Sequence, residues 1–175
     1  YQKILTEAME ELGMETGIVT RNASENFVSD CTIETDQLAL IPDSYIDLTA
    51  EKIRIYKELD SLGSEKELAS MQEKLTDRFG KMPVELERLF DIVRIRQLRE
   101  KLGFEKIIIK NGVMIAFFIY NPLSQYYRSE KFNEVLQNLS KYPKLFELKQ
   151  PDNRLRIVSR NVDSISKAYE MLKKL

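Results

Sequence analysis

From Leu48 onward, apolar residues recur at helical spacing and glycines punctuate them. Ile55, Leu59 and Leu62 share one face of a helix that Gly63 ends. Ser64 and Glu67 then form a capping box, in which each side chain can satisfy a backbone N–H at a helix start. The helix that follows carries Leu68, Met71, Leu75 and Phe79 as a clean stripe and stops at Gly80. Pro83 stands where the first turn of a third helix tolerates proline, and Leu86, Leu89, Phe90, Val93 and Leu98 carry that helix to Leu102-Gly103. Three helices joined by short loops predict a compact antiparallel set. Upstream the pattern is weaker. Ile4, Leu5, Ala8, Met9 and Leu12 make one helical face ending at Gly13, residues 13–30 are polar and read as a linker or loop, and Cys31 to Leu40 alternates partly, as an extended segment closed by Pro42.

After Gly103 the period changes. Ile107 to Lys110 and Val113 to Ile119 flank Asn111-Gly112, the strongest short hairpin signal, because both central turn positions need positive φ. Phe132, Val135, Leu136 and Leu139 mark a helix, Leu155 and Ile157 a strand, and Ile165, Ala168, Leu172 and Leu175 a last helix. The predicted fold is therefore α+β: a three-helix set, then a small sheet built as hairpin, helix, strand, helix and covered by helices.

Composition narrows the function. The chain of 175 residues is 43% hydrophobic and 31% charged, which fits a packed domain, or a domain plus an appendage, and not a disordered tail. With 27 basic and 28 acidic residues the net charge is −1, without the basic excess of a dedicated nucleic-acid binder. Residues 1–36 hold eight acids against two bases, so the remainder is mildly positive. Cys31 is the single cysteine, which excludes an internal disulfide and suits a reducing cytoplasm. No apolar run approaches the roughly 20 residues of a membrane span. Tyr1 opens the chain within a helical pattern, the expectation being a piece of a longer protein whose activity lies elsewhere.

The absent chemistry is as telling. Without histidine there is no Ser-His or Cys-His pair and no common zinc set, and the six glycines form no phosphate-cradling loop. No catalytic, metal or cofactor-binding residue is expected in this segment. Carboxylate pairs such as Glu65 and Glu67 read as a solvated helix start. Arg94, Arg96, Arg99 and Lys101 could contact phosphate, but they spread over more than one helical face and Glu100 dilutes them, which favours a solvated face. Tyr126-Tyr127-Arg128 could stack on bases, and its place after Asn121-Pro122 favours a loop packed on the domain. Cys31 has no base near it in sequence and reads as inert. At Asp77-Arg78-Phe79-Gly80, Arg78 complements the negative helix end, whereas Asp77 opposes it by ~0.3–1 kcal/mol. A salt bridge or a partner surface would account for that aspartate.

Several stretches resemble the C-terminal domain of bacterial transcription-repair coupling factors. They are Leu40-Ile41-Pro42-Asp43-Ser44-Tyr45-Ile46, Arg54-Ile55-Tyr56-Lys57, Asp77-Arg78-Phe79-Gly80 with Pro83, and Leu102-Gly103. The resemblance is close over residues 36–105, and Tyr1 to Leu5 resembles the stretch after the family's motor domain. It implies a division into residues 1–36, a linker and helix following the motor, and residues 37–175, a regulatory domain. It further implies a large cytoplasmic, ATP-driven translocase on double-stranded DNA that displaces stalled RNA polymerase and recruits UvrA for nucleotide excision repair. ATP and magnesium would belong to the upstream motor, and this segment would dock on the protein's own N-terminal UvrA-binding module and mask it. The family's masking surface includes an Asp-Arg pair, matched by Asp77 and Arg78, and an acidic residue one turn earlier, where this chain has Lys74. The competing readings are a DNA-handling accessory domain using Arg94, Arg96, Arg99 and Lys101, and a free-standing scaffold.

Overall fold

A computed structural model describes Phe27, Val28 and residues 30–175. The helix expected over Ile4 to Leu12 and most of the polar stretch after it lie outside the described residues. The rest is an α+β fold of five helices, a few short helical turns and one five-stranded sheet. In chain order these are β1 (Thr32–Thr35), α1 (Thr49–Ser61), α2 (Glu65–Phe79), α3 (Val84–Gln97), β2 (Phe104–Lys110), β3 (Val113–Phe118), α4 (Glu130–Lys141), β4 (Glu147–Lys149), β5 (Arg156–Arg160) and α5 (Ile165–Leu172).

Local chemistry sets most element ends. Ser64 caps α2 by accepting the Glu67 N–H at 3.3 Å, while the Glu67 carboxylate reaches back to the Gly63 N–H at 2.8 Å, one residue before the cap. Gly80 ends α2 at φ +87, and its N–H donates to the Thr76 carbonyl. Pro83 sits just ahead of the first residue of α3. The third helix does not run unbroken to Leu102. It ends at Gln97, and a separate turn, Arg99–Leu102, follows and closes on Gly103 at φ +71. The break re-aims the chain so that Leu102 and Phe104 enter the sheet-side core, both 1% exposed.

The hairpin forms as predicted, with Asn111 at φ +54, Gly112 at φ +72 and Lys110 paired with Val113. Strand order is β1-β2-β3-β5-β4; β1 runs parallel to β2 and the other pairs are antiparallel. The extended segment expected over Cys31 to Leu40 is a strand only at Thr32–Thr35. It lies before residue 36 in sequence, yet Ile33 is buried with Val28 and Cys31 in the sheet-side core. β4 carries no apolar alternation and is exposed at all three positions; pairing with β5 makes it a strand.

Two hydrophobic clusters result. One joins α1, α2 and α3 through Ile55, Leu59, Leu68, Leu75, Leu86 and Phe90, the single core expected of the three-helix set. The other fills the space between one sheet face (Ile107, Ile109, Met114, Ala116, Ile157) and α3, α4 and α5. Helix α3 belongs to both: Leu86, Phe90 and Val93 face the first, Ile92 and Ile95 the second. Burying each such side chain contributes roughly 1.5–3 kcal/mol, so α3 couples the two lobes.

Candidate docking surface

The last turns of α2 carry the singled-out charges, and the preceding loop fixes their position. The Tyr45 hydroxyl lies 2.8 Å from the Gly80 carbonyl oxygen and 3.1 Å from that of Leu75, so it ties the loop before α1 to the end of α2. Its ring packs on Phe79 at 5.8 Å between centroids. Burial pushes the Tyr45 phenol above its usual range, which keeps it a neutral donor there.

Arg78 is held from two sides. Its guanidinium lies 4.9 Å from the centre of the Phe79 ring and donates to Glu51 Oε1 at 2.8 Å. Arg54 bonds the same carboxylate, and chiefly through that hydrogen bond it holds Glu51 below the ordinary carboxylate range. Arg78 is nonetheless 60% exposed, so its pair with Glu51 orients more than it stabilises. Lys74 stands one turn earlier on the same side of the helix. With Arg54, Glu58, Met71 and Arg78 it lines a groove of about 270 Å³ between α1 and α2. Asp77 lies on the adjoining side, beside Gln72, Glu73 and Thr76. It is exposed, and among the described residues no cation pairs with it. The structure thus brings Lys74 and Arg78 together and leaves Asp77 next to them, turned outward.

Sequence reasoning missed Glu51, Arg54 and Tyr45 as members of this surface. Tyr45 and Arg54 fall inside stretches quoted for the family resemblance, which was the available signal; Glu51, an acid in the first turn of α1, carries no signal beyond the dipole compensation common there.

The other candidates are placed differently. Arg94 bonds Glu65 at 2.9 and 3.1 Å and Asp91 at 2.8 Å, tying α3 to the start of α2. Arg96 bonds Asp60 at 2.6 Å and Asp30 at 3.0 Å, tying α3 to α1 and to the segment ahead of β1. Burial works against its charge, and the two carboxylates outweigh that, so its pKa is raised. Arg99 donates to the Arg96 carbonyl at 3.3 Å. Contact of Arg94 or Arg96 with phosphate would require exchanging these carboxylates. Tyr126 is fully buried, and its hydroxyl donates to the Leu102 carbonyl at 2.6 Å; the Tyr127 hydroxyl donates to the Ile119 carbonyl. Both rings are packed on the domain, as their place in the sequence favoured. Cys31 is 2% exposed, and burial pushes its thiol up to about 12, where it is neither nucleophile nor ligand at neutral pH. Among the described residues no group of His, Cys, Asp and Glu is arranged to hold a metal, and no helix is long and apolar enough to cross a membrane.

The TRCF domain family matches residues 35–129. A transcription-repair-coupling factor of Rickettsia typhi is 28% identical over 175 residues, covering 98% of this chain and 14% of that protein. Those of Staphylococcus epidermidis and Escherichia coli are 35% and 33% identical, each over 61% of this chain and 9% of the relative. The chain thus spans about a seventh or less of the length of these curated relatives. A solved C-terminal domain of transcription-repair coupling factor superimposes with a TM-score of 0.65 at 20% identity, over 83% of this chain and 86% of that one, a likeness of fold.

Proposed function

The chain belongs to the TRCF domain family, and from that premise we propose that it is the non-catalytic regulatory module of a transcription-repair coupling factor. In this reading the opening residues connect to an upstream ATP- and magnesium-dependent DNA motor, and the module, expected over residues 37–175, also takes in β1 with Val28 and Cys31. The whole protein displaces stalled RNA polymerase on double-stranded DNA and recruits UvrA. The module docks on the protein's own N-terminal UvrA-binding module and masks it. One observation carries the docking site: Asp77 faces outward and has no cation paired with it among the described residues, beside an Arg78 that Glu51 and Phe79 already hold in place. A pre-oriented cation next to an unneutralised carboxylate is a ready half of a polar contact.

Masking has to be reversible, so the contact is small and polar at its rim rather than a large apolar seam. Tethering in one chain supplies an effective concentration up to about millimolar, so separate pieces that bind with a Kd of roughly 10⁻⁶–10⁻⁴ M still stay mostly closed when joined. The test is to change Asp77 and Arg78 together to Ala in the full-length protein and measure UvrA binding. Binding should rise toward that of a protein lacking the whole domain. If deletion of the domain raises it and the double variant does not, the surface lies elsewhere; if neither does, masking is not this domain's role.

A further inference from the structure

The sheet has a second face that neither hydrophobic cluster reaches. Alternation places Ile108, Val113, Ile115, Phe117 and Val158 there, all half-buried. Register sets them side by side, with Ile108 opposite Ile115, Ile115 opposite Val158 and Phe117 between Lys106 and Arg156. No described helix covers this apolar centre.

Its border is strongly cationic. Among the described residues Lys106, Lys110, Lys149, Arg154, Arg156 and Arg160 stand around it against Glu34, Asp36, Glu105 and Glu147, six cations to four carboxylates in a chain whose total is −1. Glu34 is divided between Lys106 at 3.2 Å and Lys110 at 3.7 Å, and Glu105 approaches Arg154 only to 3.9 Å. Among the described residues no carboxylate lies within ion-pair distance of Arg156 or Arg160. Arg154 and Arg156 gather over one ring: their guanidinium carbons lie 4.6 and 4.7 Å from the centre of Phe117. Both Nε atoms are buried without a hydrogen-bond partner among the described residues. Arg154 has only the distant Glu105 carboxylate, and Arg156 none among the described residues, to offset its charge beside that ring.

We propose that this open sheet face is a second docking surface, separate from the end of α2, and that its partner is an acidic protein segment bearing an apolar ridge. The aliphatic centre calls for apolar side chains opposite it, and the under-neutralised rim calls for carboxylates. Nucleic acid fits less well. A sheet that reads bases offers several open aromatic rings; here Phe117 packs against two guanidiniums, and Tyr120, 70% exposed beside Arg154, is the one open ring among the described residues of this face. The rim's cations would attract phosphate as well as carboxylate, but the apolar centre is matched by apolar side chains and not by a sugar-phosphate backbone. The surface belongs to the sheet lobe and Asp77 to the helical lobe, so occupation of one leaves the other available.

The probe is a fluorescently labelled peptide of alternating leucine and glutamate, titrated with the full chain at neutral pH. Saturable binding is expected, weakening as salt is raised and weakening about tenfold, or ~1.4 kcal/mol, for the Arg156→Glu/Arg160→Glu variant. Arg160→Glu alone, at an exposed strand end, should weaken it in the same direction without disturbing the Phe117 stack. Amide shifts on binding should centre on Ile115 and Val158 and spare Asp77. Peptides with glutamine for glutamate, or serine for leucine, should each bind about tenfold less tightly. Equal binding of either control peptide would overturn the proposal, as would no effect of the arginine changes. Three other outcomes would replace the partner: a single- or double-stranded oligonucleotide binding more tightly through the same arginines, self-association abolished by the same variants, or peptide binding that begins only when residues 1–26 are removed.

Discussion

Gly103 and Tyr126 occupy each other's space: a Cβ placed on Gly103 would come 2.2 Å from Tyr126 Cζ and 2.4 Å from Cε2. The tyrosine ring lies where any other residue would have a side chain, and its hydroxyl bonds the carbonyl of Leu102 next door. This contact closes the turn after α3 and starts β2, so it fixes how the helical lobe is joined to the sheet.

Gly103→Ala should therefore destabilise the domain by roughly 2–5 kcal/mol, combining ~1–2 kcal/mol for a left-handed backbone with about 1–3 kcal/mol for overpacking. Tyr126→Phe, which leaves the Leu102 carbonyl without its donor, should cost about 1–3 kcal/mol. Urea unfolding of both variants checks the order; equal stability of Gly103→Ala and the parent would show that the ring moves aside freely.

Arg96→Met removes the cation shared by Asp60 and Asp30 and leaves the Asp60 side chain, 12% exposed, without its partner. A loss of roughly 2–3 kcal/mol is expected, below the range for a fully buried pair because a fifth of Arg96 is exposed. The same pairing predicts weak DNA binding by the parent chain, no tighter than about 10⁻⁴–10⁻⁶ M at physiological salt. Submicromolar binding lost in Arg94→Ala and Arg96→Ala would favour a DNA-contacting domain instead.

Lys74→Glu tests the charge reversal at the docking surface. Lys74, Asp77 and Arg78 are all exposed, so variants there should alter stability by no more than about 0.5 kcal/mol. Binding of the separate N-terminal module should weaken if the partner surface has changed sign along with Lys74, and strengthen if it has not. Calorimetry on the two pieces reads the direction, and unchanged binding would remove Lys74 from the contact.

Cys31 makes a pH prediction. Its folded pKa of about 12 lies above the ordinary 9.0, so between those values the unfolded chain loses the thiol proton and the folded chain keeps it. The native state then binds more protons, and stability falls as pH rises from about 9 toward 12, by at most ~1.4 kcal/mol per pH unit for this one group. Cys31→Ala should flatten that alkaline limb. The native thiol should also resist a disulfide reagent at pH 8 and react on unfolding; rapid native reaction would contradict its burial.

Elements whose signals are short-range were legible before the fold was known. The Asn111-Gly112 turn, the Ser64 cap and the Gly80 stop each depend on sterics or hydrogen bonds within a few residues, so the residue types alone specify them. The unfavourable aspartate at the end of α2 was visible for the same reason, because the helix dipole acts within one turn. The absence of histidine and of a phosphate-cradling loop was also readable directly.

What the sequence alone could not determine depends on partners distant in the chain. Cys31 and Ile33 signalled an extended segment, but only pairing of Thr32–Thr35 with Lys106–Ile109 decides where it is a strand, and β4 has no pattern of its own and is a strand because Leu148 finds Ile157. The break at Leu98 follows from one helix having to serve two cores, a demand that no helical stripe encodes. Arg94 and Arg96 read as a solvated face, with phosphate contact the lesser alternative, whereas the fold brings Glu65, Asp91, Asp60 and Asp30 to them and half-buries both. The basic sheet face was invisible because its cations come from several strands, and only register places them together. Local propensity set the elements of this protein; packing and strand register, which bring distant residues into contact, set its surfaces.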